Sequence, residues 1–338
     1  MTVQYAAAMV LDKYPAFTLP FVMHRLRYST FVNLPRRFMY FEVPKAGCTT
    51  IKSLLRELEG APPLRLFSPG FRESRRDMFV HARENIPLPS LVELDDATQR
   101  EVLESPDFLR MVVVRNPYTR LFSAWTNKVM LCEPGYERVY QAIRGSAPAG
   151  PGIRFVTFPE FVDHVATEDL ETCDPHWSLQ TTHTFLSAFD FNLVGKLEQL
   201  SDCLARFAQH VGGGGIEFGA RANASEGARL GGYDEDVAAK VYSLYRADFD
   251  RLGYGENDWP RQPGVESAGR EKKLFEDVLE RNQLISELYS ELERARVAAF
   301  ELNKVKRFHL LTVANGLLTA GELASSALSR VRRARRAR

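Results

Sequence analysis

Residues Arg37–Leu58 read RFMYFEVPKAGCTTIKSLLREL, and the fold turns on how that run divides. Phe38, Met39, Tyr40, Phe41 and Val43 are mostly aromatic or β-branched and nearly unbroken by charge, as in a strand covered on both faces of a parallel sheet. Pro44 has no N–H to offer a ladder and ends the strand. From Thr50 the apolar residues Ile51, Leu54, Leu55 and Leu58 recur at helical spacing, and Gly60 follows as a cap. The loop PKAGCTT therefore brings backbone N–H groups, the Lys45 ammonium and two threonine hydroxyls to a helix N-terminus. An anion is favoured there.

The loop is not an ordinary ATP or GTP loop. A Walker A loop ends in lysine followed by Ser or Thr, whereas Lys45 stands at the beginning of this one. Taken alone, the loop reads equally well as a surface turn carrying one basic residue. A second unit, Phe108–Trp125 (FLRMVVVRNPYTRLFSAW), alters that balance. Met111–Val114 form a short buried-type strand with Arg115 at its C-terminal end, and Asn116 and Pro117 break it. Leu121, Phe122 and Trp125 then return to helical spacing, and Ser123 lies eight residues after Arg115. Ligands of open α/β sheets bind beyond the carboxyl ends of strands, so Arg115 and PKAGCTT are expected to face one crevice.

VPKAGCTTIK followed by VVVRNPYTRLFSAW resembles the paired nucleotide signatures of PAPS-dependent sulfotransferases (PAPS, 3′-phosphoadenosine 5′-phosphosulfate). The likeness is to the carbohydrate group of sulfotransferase family 2, typified by the chondroitin 4-O and HNK-1 enzymes. His176 and Trp177 followed by FDFNLVGKLEQL resemble the HW and YDxxGKxExL blocks of that group, and VYSLYRADFDRLGY its closing block. The resemblance spans roughly Phe38 to Tyr254. It implies an α/β fold, a P-loop-like parallel sheet flanked by helices, and a sulfuryl transfer from PAPS to a hydroxyl of a carbohydrate or glycoconjugate without a metal. Pro44, Lys45, Ala46, Gly47, Cys48, Thr49 and Thr50 would hold the 5′-phosphosulfate, with Lys45 donating to the bridging oxygen. Arg115 and Ser123 would hold the 3′-phosphate, and a loop carrying Arg221, Asn223 and Ser225 would close over the nucleotide.

A base must take the acceptor's proton, and histidine is the side chain most often tuned for that near neutrality. If Met78–Val80 form a strand, His81 emerges at the same sheet edge as Lys45 and Arg115. His176, beside an aromatic residue suited to stacking on a sugar, is the second candidate. Two other readings stay open: a nucleotide kinase or NTPase of related fold, which would need a Lys-Ser/Thr loop and a Mg²⁺ carboxylate, and a non-catalytic coiled-coil scaffold.

The 338 residues are 45% hydrophobic and 26% charged with a net charge of +1, which gives no reason to expect nucleic acid as the partner. Cys48, Cys132, Cys173 and Cys203 lack CxxC spacing and read as reduced thiols, Cys48 as a packing residue rather than an activated one. No histidine spacing suggests a metal site. The first residues lack a basic segment and a long apolar run, unlike the Golgi-anchored animal members that the resemblance implies, so a cytoplasmic enzyme of bacterial type is expected, associated with the inner face of the membrane if the C-terminal tail binds there.

The sulfotransferase domain is expected over 1–255 (core 36–254), a linker over 256–269, a coiled-coil candidate over 270–306 and an apolar helix with an Arg-rich tail over 307–338. Residues 1–35 read as a short helix and irregular cover, and 133–152 as a long loop. Over 271–305, Val278, Ile285, Leu292 and Ala299 recur every seven residues, with Leu274, Leu288, Ala295 and Leu302 in the complementary positions, a pattern for homo-oligomerisation. Six arginines between Arg330 and Arg338 suit either peripheral contact with an anionic membrane or a solvated tail.

Overall fold

Two helices, α1 (Tyr5–Lys13) and α2 (Leu19–Ser29), lead into a strand that the sequence reading placed in irregular cover, β1 (Thr30–Asn33). The computed structural model describes residues 3–62, 81, 83–130, 132–133, 135–145, 156–212 and 232–261, together with Val278, Asn282, Ile285 and Arg294 as helical positions. β2 (Phe38–Phe41) and α3 (Cys48–Leu58) follow as expected. The helix α4 (Asp96–Glu104) comes next. The Asp95 side chain accepts from the Thr98 N–H at 2.9 Å and starts the helix there. β3 (Leu109–Val114) and α5 (Pro117–Ala124) form the second unit, and one π-helical turn, Trp125–Val129, extends it.

Part of the expected 133–152 loop is helical, α6 (Glu137–Arg144), because Tyr140 and its neighbours Val139 and Ile143 share an apolar face. α7 (Phe158–Val165), the short α8 (Gln180–His183), β4 (Leu193–Lys196), α9 (Leu200–Val211), α10 (Glu235–Leu244) and α11 (Arg246–Leu252) complete the described elements. β4 begins only at Leu193. Phe189 and Phe191 pack into the core, and the Asn192 side chain bonds the Arg110 N–H and the Phe108 carbonyl instead of continuing a ladder.

The sheet order is β1-β2-β3-β4. β2, β3 and β4 are parallel, with Tyr40 opposite Met111 and Val114 opposite Lys196. β1 pairs antiparallel with β2, which corrects the expectation of an all-parallel sheet. The turn 34–37 between them, closed by Arg37 N–H to the Leu34 carbonyl, is too short for the crossover that a parallel pair requires.

Alternation along the strands builds two buried layers. Phe38, Tyr40, Met111 and Val113 pack against α3 and α9. Met39 and Phe41 face α1, α2 and the Phe185–Phe189 segment, while Val112 and Val114 meet Val43, Ala46 and Leu252. A third cluster around Trp125, Trp177, Phe158 and Tyr245 joins α5, α7 and α10 beside the sheet. At about 25 cal/mol per Å² of apolar area, layers of this kind supply the main stabilisation. Residues 256–261 lie on this core: the Tyr118 hydroxyl donates to the Glu256 carbonyl at 2.7 Å and Asn116 to the Asp258 carbonyl at 3.0 Å. The coiled-coil candidate, apart from its four helical positions, and the Arg-rich tail lie outside the described residues.

Candidate functional site

Because β2 and β3 are neighbouring parallel strands, the segments that leave Phe41 and Val114 emerge on the same sheet edge. The Arg115 guanidinium turns back onto the first loop. Its NH1 donates to the Lys45 carbonyl at 3.1 Å and its Nε to Thr119 Oγ1 at 2.9 Å. Arg115 thus lies against the backbone of the PKAGCTT loop. Arg120, fully buried, ties the same loop to the chain around His176: it donates to the carbonyls of Pro44 at 3.0 Å, Ser178 at 2.7 Å and Pro175 at 2.7 Å.

The later sequence blocks act as buttresses. Gln180 accepts from the Arg115 N–H at 2.9 Å and donates to its carbonyl at 2.8 Å. The buried Asp248 carboxylate, from the closing block, accepts the N–H groups of Gln180 at 2.8 Å and Thr181 at 2.9 Å. Glu198, from GKLEQL, accepts from the Asn116 N–H and from the Tyr254 hydroxyl, both at 2.9 Å.

Within the loop, Lys45 has φ 68° and Gly47 φ 82°. A side chain in the left-handed region costs roughly 1–2 kcal/mol, and the bonds from Arg115 and Arg120 hold the strained turn in place. At Gly47 a Cβ would also meet Leu197 Cδ1 at 2.9 Å, so glycine is needed for both reasons. Ala46 is buried, and its N–H donates to the Val43 carbonyl at 3.2 Å. Cys48 and Thr49 open α3 and Thr50 lies in its first turn, where N–H groups have no intrahelical acceptor. Cys48 is a buried thiol pushed up to about 11 by burial and by Glu42, which opposes the activation a helix N-terminus can give.

The half-buried Lys45 ammonium donates to Asn127 Oδ1 at 2.7 Å. Asn127 and Lys128 sit on the π-helical turn, a departure that recurs at functional sites. Burial, and then the Lys128 charge, lower Lys45 to about 8. Lys128 pairs with Glu133 at 2.8 Å and lies 5.2 Å from the Tyr136 ring centroid. Ser123 is buried in α5, one helical turn beyond Thr119 on the same face.

The two candidate bases differ in their surroundings. His176 Nδ1 lies 2.7 Å from Asp174 Oδ1 and 3.0 Å from the Tyr136 hydroxyl, and Nε2 has no hydrogen bond among the described residues. His81 lies at the edge of the loop with both nitrogens engaged: Nε2 is 3.1 Å from Thr49 Oγ1, and Nδ1 is 3.4 Å from Lys52 Nζ and 3.6 Å from Glu42 Oε1. The strand proposed for Met78–Val80 lies outside the described residues, as do Arg221, Asn223 and Ser225. Glu42, Cys48 and His81 bring possible metal-donor atoms within 4.8 Å of one another. The Lys52 ammonium already lies 2.6 Å from Glu42 Oε2 and supplies the local positive charge.

Sequence reasoning missed Thr119, Asn127, Tyr136, Asp174 and Gln180. Asp174 alone carried a local signal, two residues before His176. The others reach the site through α5, the π-helical turn, the 132–136 segment and α8, whose placement no local pattern announces.

A model of the sulfotransferase family matches residues 28–255, from the end of α2 to the turn after α11. The chain belongs to that family. Among curated proteins it is similar to carbohydrate sulfotransferase 14 of Danio rerio, at 28% identity over 188 residues, covering 54% of this chain and 47% of that protein. It is likewise similar to carbohydrate sulfotransferase 14 of Homo sapiens, at 30% over 175 residues and 48% and 41% of the two chains. Carbohydrate sulfotransferase 11 of Danio rerio is 22% identical over 243 residues, 66% of each. The chain spans about half the length of the first two relatives, 47% and 41%. No solved structure matches.

These sulfotransferase relatives overturn one expectation. The cytoplasmic location, with its attachment to the inner face of the membrane, assumed a bacterial-type enzyme distinct from the Golgi-anchored animal members. The relatives found are animal carbohydrate sulfotransferases, which conflicts with a cytoplasmic assignment. Among the described residues no helix is long and apolar enough to cross a membrane.

Proposed function

We propose that this member of the sulfotransferase family transfers the sulfuryl group of PAPS to a hydroxyl of a carbohydrate or glycoconjugate. The observation that supports the reading is the Arg115 guanidinium 3.1 Å from the Lys45 carbonyl, which brings the two proposed anion-binding loops side by side. Two such loops would suit a doubly phosphorylated donor. The N-terminus of α3 and the turn 44–50 would take the phosphosulfate, and Arg115, with Thr119 and Ser123 along one face of α5, the 3′-phosphate. The donor supplies an activated sulfuryl group.

Lys45 releases Asn127 to hydrogen-bond the bridging oxygen as negative charge grows there, a contact stronger in the transition state than in the ground state. Of the two histidines, His176 takes the role of base because its Nε2 is open. The acceptor O–H proton passes to that nitrogen, the oxygen forms the new bond to sulfur, and the bond from sulfur to the bridging oxygen breaks, that oxygen leaving on the phosphate of PAP. The Glu42–Lys52–His81 cluster supports the loop from behind.

The test is thermal stabilisation by PAP, the desulfated product, against ATP with Mg²⁺, followed by transfer from radiolabelled PAPS to glycan extracts. Stabilisation by PAP with label transfer is expected. A shift with ATP and Mg²⁺ alone would favour the kinase or NTPase reading. Self-association through 271–305 is supported by the heptad pattern, and sedimentation of the full chain against one truncated after residue 261 tests it.

A further inference from the structure

We infer that Asp174 and Tyr136 are positioning residues that fix the His176 ring so that Nε2, and not Nδ1, receives the acceptor's proton. The inference rests on the sulfotransferase reading for its substrate, but its geometry is independent of the donor. Asp174 holds His176 twice through one oxygen, which lies 2.8 Å from the His176 N–H and 2.7 Å from Nδ1. An ionised carboxylate only accepts hydrogen bonds, so the Nδ1 proton must point at it. The Tyr136 hydroxyl closes the triangle, 3.0 Å from Nδ1 and also bonded to Asp174. In a neutral ring with its proton on Nδ1, Nε2 is the lone-pair nitrogen.

The charge distribution around the ring fits this assignment. Burial would raise the Asp174 carboxyl, but the hydrogen bonds and charge of His176, with Lys128, hold it below its ordinary value. Burial lowers His176, Asp174 opposes that, and Lys128 and Lys45 lower it further. The groups facing the ring are therefore Asp174 on its own segment, Tyr136 before α6, Lys128 on the π-helical turn, Lys45 on the loop and His183 on α8. The net lowering favours the neutral ring, the form that can accept a proton. Once it does so, Asp174 stabilises the imidazolium until solvent removes the proton.

The arrangement also orders the reaction in space. Arg120 donates to the Pro44 carbonyl beside Lys45 and to the Pro175 carbonyl beside His176, so the segments that carry the leaving-group lysine and the base are held together. In-line transfer requires the acceptor oxygen to approach sulfur opposite the bridging oxygen that Lys45 would contact, with its hydrogen turned toward Nε2. Trp177 is buried behind the pair, and its ring meets that of Tyr136 at 6.0 Å between centroids. That packing holds the ring planes without offering a competing acceptor.

Long-range ¹H–¹⁵N spectra of the full chain labelled in histidine test the assignment without donor or acceptor, the His176 signals being identified by their loss in His176→Gln. The wild type should show Nδ1 protonated and Nε2 in the lone-pair form. Asp174→Asn should weaken that preference and lower the titration midpoint of His176 by about 1 to 3 in pH, the range for loss of one adjacent opposite charge. Tyr136→Phe should act less strongly in the same direction. With PAPS and a glycan extract, Asp174→Asn should reduce kcat about a hundredfold, shift the acid limb of the kcat profile to lower pH and leave stabilisation by PAP in place.

A wild-type His176 protonated mainly on Nε2, or an Asp174→Asn spectrum and titration identical to wild type, would overturn the inference. If Asp174→Asn fails to fold, the wild-type spectrum and Tyr136→Phe decide. Absence of label transfer by the wild type, with the His176 tautomer as expected, would sink the sulfotransferase reading and leave the positioning intact.

Discussion

Two histidines flank the PKAGCTT loop in different electrostatic company. On one side Lys52, Glu42 and His81 form a closed set: Lys52 Nζ is 2.6 Å from Glu42 Oε2, and both His81 nitrogens are engaged. On the other, among the described residues the Lys45 ammonium bonds Asn127 alone and His176 Nε2 has no hydrogen bond. Both sides carry lysine, carboxylate and histidine. The side whose groups satisfy one another is a support, and the side left with an unused donor and an unused acceptor is equipped for chemistry.

That contrast fails or gains force in the following measurements. The largest effect is expected at Lys45→Ala, which should lower kcat about 10²–10³-fold, the scale for one lost transition-state donor, in single-turnover transfer from PAPS. His176→Ala should cost about a hundredfold by the scale of general-base catalysis, with His81→Ala changing kcat only a few-fold. Equal losses at both histidines would erase the distinction between the two sides.

Lys52→Met should act on stability before activity. It strands the buried Glu42 carboxylate, a change of about 3–5 kcal/mol for a broken buried pair, read by urea denaturation. Gly47→Ala should cost about 1–2 kcal/mol from its φ of 82°, with a further loss of PAP binding as Leu197 is displaced.

The pH responses of the two sides should also separate. Lys45, lowered to about 8 by burial and by Lys128, loses its ammonium as pH rises through that value, so kcat should fall on the alkaline side near 8 while the fold persists. Glu42 moves the other way. Burial would raise it, but His81 and Lys52 outweigh that and depress it. Its contribution to stability is therefore full above its unfolded value and is lost as pH falls through the lower folded one. Denaturation midpoints below about pH 4.3, the reference for glutamate, should drop less steeply in Glu42→Gln than in wild type.

Strand, loop and helix at 37–58 and 108–125 were legible in the chain because each carries its own signal: an apolar run, a proline break, then helical spacing. The same signals paired Lys45 with Arg115, since residues at the ends of parallel strands share an edge. The C-terminal heptads are equally legible as a pattern. β1 was not, because Thr30–Asn33 is a four-residue segment whose strand character comes from pairing with β2. Nor could sequence choose between His81 and His176. Both have aromatic neighbours, Phe79 for His81 and Trp177 for His176, and a histidine's role depends on which of its nitrogens is already bonded.

Local order along the chain specified the two anion loops, because hydrogen-bonding capacity, φ freedom and apolar period are properties of neighbouring residues. Which nitrogen stays free, which lysine is neutralised and which carboxylate is buried were decided only when α5, the π-helical turn and the 174–183 segment packed around those loops. Those states depend on distances between residues remote in sequence, and only the folded chain defines such distances.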